Sequence, residues 1–230
     1  MDLCGLQKLT LLDFPEHLAC TVFTGGCNMR CPFCHNAPLV LAPGREPKLP
    51  EEEFFSFLRK RRGVLDGVCI TGGEPTLQPD LEDFVRRIRQ EGFAVKLDTN
   101  GTVPDRLAGL LQNGLLDYVA MDIKSCPAKY AEAAGVPGFD LAAVQRSIDL
   151  LRASPVAYEF RTTVVSPLHT EEDLLAIGRW LQGAPRYFLQ NFVASDNLIG
   201  DGMQPWPPAA LQAVREKLIP YFGTVGLRGI

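Results

Sequence analysis

Six short apolar runs alternate with six amphipathic stretches along this chain, and that alternation constrains the fold more than any other feature. The runs at 19–24, 67–71, 94–98, 118–122, 159–165 and 187–193 have strand length and strand composition. Between and after them, 51–62, 80–91, 105–113, 141–153, 170–182 and 208–221 carry apolar residues at helical spacing. Such alternation implies parallel strands joined by crossover helices. Six strands are too few to close an eight-stranded barrel, so the sequence predicts an α/β fold, a partial, open (β/α)6 barrel. A late run at 225–228 is expected at one edge. With 230 residues the chain can bury one core, so a single domain over residues 1–230 is expected. The Pro- and Gly-rich stretch 41–50 reads as a linker from the cysteine loop to the first helix.

In parallel α/β folds, sites form at the C-terminal ends of the strands. Four polar or glycine-rich groups stand there: Thr24-Gly25-Gly26-Cys27, Thr71-Gly72-Gly73-Glu74, Asp98-Thr99-Asn100-Gly101 and Asp122-Ile123-Lys124. The sequence therefore predicts one functional rim.

Seven cysteines are many for such a chain, and Cys27, Cys31 and Cys34 fall within a single loop. An odd number clustered in this way asks for a metal before a disulfide. Thiolates bind iron, and a cubane with three protein ligands leaves one iron open to a substrate or cofactor. The competing readings are a zinc site built on Cys31 and Cys34 with His35 or Cys27, and a thioredoxin-like Cys-Pro-Phe-Cys pair. The third cysteine and the downstream Gly72-Gly73-Glu74 favour the cluster. Alone, a Gly-Gly-Glu can be a turn that closes a strand, and Asn100-Gly101 is ordinary turn chemistry. Paired glycines also let backbone approach a ligand, and Glu74 can accept from an ammonium group. Cys4, Cys20, Cys69 and Cys126 read as structural, with Cys20 and Cys69 packed inside strands.

A net charge of −4 argues against broad nucleic-acid binding. No apolar run approaches the roughly 20 residues that span a bilayer. The first residues have no basic region followed by an apolar run, so a cytoplasmic location is expected. The basic stretch Arg59-Lys60-Arg61-Arg62 ends a helix, where cations complement the dipole; docking of an acidic electron donor is the alternative.

The Cys27-x-x-x-Cys31-x-x-Cys34 pattern resembles the radical S-adenosylmethionine (SAM) superfamily, in which three cysteines hold a [4Fe–4S] cluster and SAM binds the fourth iron. The resemblance implies that Phe33 and His35 lie beside the adenine, and that Gly72, Gly73 and Glu74 take the methionine amino group. The Asp98-Thr99-Asn100-Gly101 and Asp122-x-Lys124 stretches resemble those of pyruvate formate-lyase activating enzyme. That likeness implies a monovalent cation held by Asp98, Thr99, Asp122 and the Ala120 carbonyl, with Lys124 at the SAM carboxylate and Arg161 a further SAM contact. That enzyme has a His after its sixth strand, where this chain has Gln190-Asn191-Phe192.

Over nearly the whole chain the sequence resembles the activating proteins of anaerobic ribonucleoside-triphosphate reductase. The stretches that carry the match are GLQKLTLLDFPEHLACTVFTGGCNMRCPFCHN, LDGVCITGGEPTLQPDLEDF, VKLDTNG, LDYVAMDIK and YEFRTTVVSPLHT. What this implies is a glycyl radical enzyme as protein partner and a flavodoxin or ferredoxin as electron donor. The rivals are activation of another glycyl radical enzyme, a small-molecule radical SAM reaction such as that of 7-carboxy-7-deazaguanine synthase, and a non-catalytic metal-binding module.

Overall fold

The computed structural model describes residues 1–195 and 197–230. Eight strands lie in one sheet in chain order: β1 (Leu3–Thr10), β2 (Ala19–Thr24), β3 (Gly67–Gly72), β4 (Ala94–Thr99), β5 (Tyr118–Asp122), β6 (Ala157–Val164), β7 (Arg186–Asn191) and β8 (Thr224–Arg228). Pairing is antiparallel for β1 with β2 and parallel for β2 with β3, β3 with β4, β6 with β7 and β7 with β8. The helices are α1 (Ala37–Leu41), α2 (Glu51–Lys60), α3 (Leu81–Gln90), α4 (Pro104–Gln112), α5 (Tyr130–Ala134), α6 (Leu141–Ala153), α7 (Glu171–Trp180) and α8 (Pro208–Leu218). All six expected strands and the edge strand form. The sequence reading lacked β1, α1 and α5, and α1 with a 3-10 turn at Pro43–Arg45 occupies part of the stretch expected as linker.

The chain divides into two compact units. The first comprises residues 1–28, 38–120 and 143–157. Its strands β2, β3 and β4 are buried on both faces, which is why they read as continuous apolar runs. α2 buries Phe54, Phe55 and Leu58, and α3, which packs on β4, buries Leu81, Phe84, Val85 and Ile88. The Phe54 and Phe84 rings stack at 5.3 Å, and Phe55 meets Phe84 edge-on at 5.5 Å. Fully burying one such side chain is worth about 1.5–3 kcal/mol.

The second unit comprises residues 29–37, 121–142 and 158–230. Thr170 and Asp173 form a capping box at the start of α7, a device worth about 1 kcal/mol. Leu218 of α8 packs so closely on α7 that a Cβ at Gly178 would stand 2.7 Å from its methyl. The Tyr187 and Phe222 rings stack at 4.6 Å. Arg228 ties β8 to β6 through a bidentate bond, 2.6 and 2.9 Å, to the buried Glu159. Among the described residues no helix is long and apolar enough to cross a membrane.

Candidate active site

In the first unit the end of β2 runs into Gly25-Gly26-Cys27, and the end of β3 into Gly72-Gly73-Glu74. The two segments touch through their backbones. Gly73 N–H donates to Thr24 O and Glu74 N–H to Gly26 O, both at 2.8 Å. A Cβ on Gly73 would lie 1.9 Å from Gly26 O, and one on Gly72, at φ +115°, 2.4 Å from Thr24 N. The paired glycines therefore serve a contact inside the protein: they let the Gly-Gly-Glu turn press onto the loop that carries Cys27.

Glu74 is 1% exposed and its carboxylate turns inward. It accepts from Thr76 N at 3.1 Å, Thr76 Oγ1 at 2.5 Å, Thr99 Oγ1 at 2.7 Å and Asn100 N at 2.6 Å. Burial pushes this carboxyl up from its ordinary pKa, and the four donors pull it back toward the charged form. Asn100 extends the chain of contacts to the cysteine loop. Its Nδ2 lies 3.8 Å from Cys27 Sγ and donates to Asn28 Oδ1 at 3.0 Å, while its Oδ1 accepts from Thr102 N and Oγ1. One residue earlier, at the end of β4, Thr99 Oγ1 accepts from Gly101 N at 3.1 Å. Asp98, expected as a cation ligand, is ion-paired with the buried Lys96.

In the second unit the rest of the cysteine loop is pinned by backbone. Arg30 N–H donates to Ala134 O at 2.8 Å, and Gly200 N–H to Pro32 O at 2.8 Å. Cys31 is buried with its Sγ 3.8 Å from Ala134 O, and Cys34 N–H donates to Cys31 O at 3.0 Å. Gly135 closes α5 at φ +65°, and a Cβ there would meet Arg30 O at 2.1 Å. Gly135→Ala is expected to push the loop off its seat, with anaerobically reconstituted protein retaining less than half the iron of wild type by chemical iron analysis.

Phe33 is buried with its ring edge-on to His169 at 6.1 Å. His35 stacks on Phe192 at 5.3 Å, and its Nε2 lies 2.5 Å from Val193 O. The residues just after β7 thus meet the ring of His35. Burial pushes His169 below the usual histidine range, and its Nε2 meets Lys124 O at 2.8 Å.

Asp122, Lys124 and Arg161 form one half-buried group. Arg161 Nε donates to Asp122 Oδ1 at 2.5 Å and Lys124 Nζ to Asp122 Oδ2 at 3.0 Å. Burial disfavours each charge, but the opposed charges outweigh it: Asp122 is held well below the usual carboxylate range and Lys124 above the usual lysine range. Two cations on one carboxylate leave a net positive charge, which suits a ligand carboxylate. From the sequence, Lys96, Phe192 and His169 had no site role, and Asn100 stood at the rim as turn chemistry alone. Only the Lys96-x-Asp98-x-Asn100 alternation, which puts three polar residues on one strand face, signalled any of them.

No disulfide joins any of the seven cysteines, so no thiol of the motif is held in one. Cys27 belongs to the first unit, Cys31 and Cys34 to the second. Among the described residues no three His, Cys, Asp or Glu side chains gather as ligands of one ion. Thiolates are nonetheless the donor chemistry that an iron–sulfur cluster takes.

The fold is that of a known class of enzyme. Streptococcus suis SuiB matches with a TM-score of 0.71 at 17% identity, over 94% of this chain and 50% of that one. Methylornithine synthase matches with a TM-score of 0.67 at 13% identity, over 90% and 63%.

Residues 21–181 match the model of the Radical SAM superfamily, and the chain belongs to that superfamily. It is an enzyme of the radical SAM type with the partial, open barrel of that class, and its cofactors are a [4Fe–4S] cluster and SAM. A Methanocaldococcus jannaschii protein that carries the name of a glycyl-radical enzyme activating enzyme is 36% identical over 84% of this chain and 80% of its own. A Pyrobaculum aerophilum protein named as a GTP 3',8-cyclase is 30% identical over 64% of this chain, which spans 47% of that relative.

Proposed function

We propose that this chain activates a glycyl radical enzyme, and that its partner is anaerobic ribonucleoside-triphosphate reductase. The observation that carries the reading is the 36% identity to the M. jannaschii activating-enzyme namesake, a likeness 199 residues long. A second protein of that organism with the same type of name is 33% identical over 126 residues.

In this reading Cys27, Cys31 and Cys34 hold the cluster. Gly72, Gly73 and Glu74 shape the place of the methionine amino group, Lys124 and Arg161 face the SAM carboxylate, and Phe33 and His35 border the adenine. When bound, the cluster and SAM would supply the one-electron chemistry needed to remove a hydrogen atom from a glycine Cα of the partner. The chain's own part is to ligate, orient and exclude water. Glu74 fixes the turn to the end of β4, so that Asn100 holds the Cys27 loop. The Lys124–Asp122–Arg161 group supplies a positive surface whose charge does not change near neutral pH. A flavodoxin or ferredoxin delivers the electron.

A second reading, chemistry on a small molecule, is favoured by the GTP 3',8-cyclase relatives and by a 7-carboxy-7-deazaguanine synthase of Methanopyrus kandleri at 33% identity. This chain spans 46% of that synthase against 80% of the activating-enzyme namesake. The experiment is anaerobic SAM cleavage with and without the reductase. Under the first reading 5′-deoxyadenosine formation rises severalfold when the reductase is added. A rise with a guanine nucleotide and none with the reductase would favour the second.

A further inference from the structure

The inference concerns Lys96 and rests on the assignment of Asp98 to a cation position. Lys96 sits on β4 two residues before Asp98, so both side chains leave the same face of the strand. It is 2% exposed and Asp98 9%. The ammonium pairs with Asp98 Oδ1, and it lies 3.7 Å from the sulfur of Cys69, its register partner on β3. Leaving a buried carboxylate without a counter-charge is costly, and a lysine reaching along the strand is one way to provide it.

We propose that Lys96 is a built-in monovalent cation: its ammonium stands beside Asp98 where the activating enzyme that this chain resembles uses a metal ion. The other carboxylate of the expected site is served in the same way, since Asp122 already faces Arg161 and Lys124. The enzyme then has no requirement for sodium or potassium. Lys96 is a positioning residue that acts through Asp98 and the strand end beyond it, where Thr99 and Asn100 bond Glu74.

The test is cation dependence, which a merely structural lysine would not create. Thermal unfolding of the reconstituted enzyme is followed in the chlorides of sodium, potassium and N-methyl-D-glucamine at one ionic strength. The wild-type midpoints are expected to coincide, and its SAM cleavage to agree within twofold across the three salts. Lys96→Met, which keeps an unbranched chain one atom shorter and removes the charge, should melt lower in N-methyl-D-glucamine and recover saturably as sodium or potassium is added. Lys96→Met with Asp98→Asn should regain stability and lose that response. A saturable gain of the wild type with a small cation, or a flat response of Lys96→Met, would overturn the proposal. If Lys96→Met does not fold, the wild-type series and the double variant decide. No SAM cleavage by wild type in any salt would count against the functional reading instead, and the unfolding series would still stand.

Discussion

Changing Cys27, Cys31 or Cys34 to alanine is expected to abolish the brown chromophore and SAM cleavage together. Wild-type protein reconstituted without oxygen should hold about four irons, as a cubane requires. Three protein thiolates leave no spare ligand, so losing one removes the cluster's seat. The fold should survive, because each substitution removes one heavy atom and core truncations of that size cost about 1 kcal/mol. Unchanged far-ultraviolet circular dichroism beside an iron content near zero is the expected pair of results. Cys4→Ala is the control: its sulfur lies near Lys48 and Asp2, and both chromophore and cleavage should remain. Anaerobically purified wild type holding one zinc and no iron would contradict the cluster reading.

Glu74→Ala should destabilise the protein more than any other single change in the Gly-Gly-Glu turn. It leaves four donors facing a cavity: Thr76 N, Thr76 Oγ1, Thr99 Oγ1 and Asn100 N. Each orphaned buried donor costs about 1–3 kcal/mol, and water entering the space recovers part of the sum. A net loss of about 3–5 kcal/mol is expected, a large share of the roughly 5–15 kcal/mol that holds a domain folded. Glu74→Gln keeps the shape but offers an amide N–H to neighbours that also donate, so it should recover only part of the loss. SAM affinity should fall at least tenfold in Glu74→Ala, because Asn100 no longer holds the Cys27 loop. Denaturant unfolding and equilibrium SAM binding check the two effects, and an unfolding midpoint equal to wild type would refute the inward role of Glu74.

The sequence made the buried strands legible because both of their faces are covered, which leaves apolar runs such as Val-Cys-Ile in β3. The first strand was illegible for the opposite reason. β1 pairs only with β2, exposes Gln7, Lys8 and Leu9, and carries no alternation that separates it from a loop. The helices α1 and α5 are five residues long, too short to show a period. At the site, thiol spacing and the paired glycines are local signals and were readable. The direction in which Glu74 points was not, since its partners Thr99 and Asn100 lie 25 and 26 residues away. Asn100 meets Cys27 across 73 residues, and His35 meets Val193 across 158. Such contacts are set by which strand ends become neighbours, and no local pattern records that. A second demand on the glycines was hidden for the same reason: Gly73 is also required by the carbonyl of Gly26.

The most direct test of the central claim is electron paramagnetic resonance on the partner protein. Reduced enzyme, SAM and anaerobic ribonucleoside-triphosphate reductase from the same source are mixed without oxygen and frozen. The account predicts a doublet glycyl radical signal on the reductase, absent without SAM and absent when the reductase's radical-bearing glycine is changed to alanine. A doublet on a pyruvate formate-lyase-type protein alone would move the partner. No doublet on either, with steady turnover of a small molecule, would contradict glycyl radical activation.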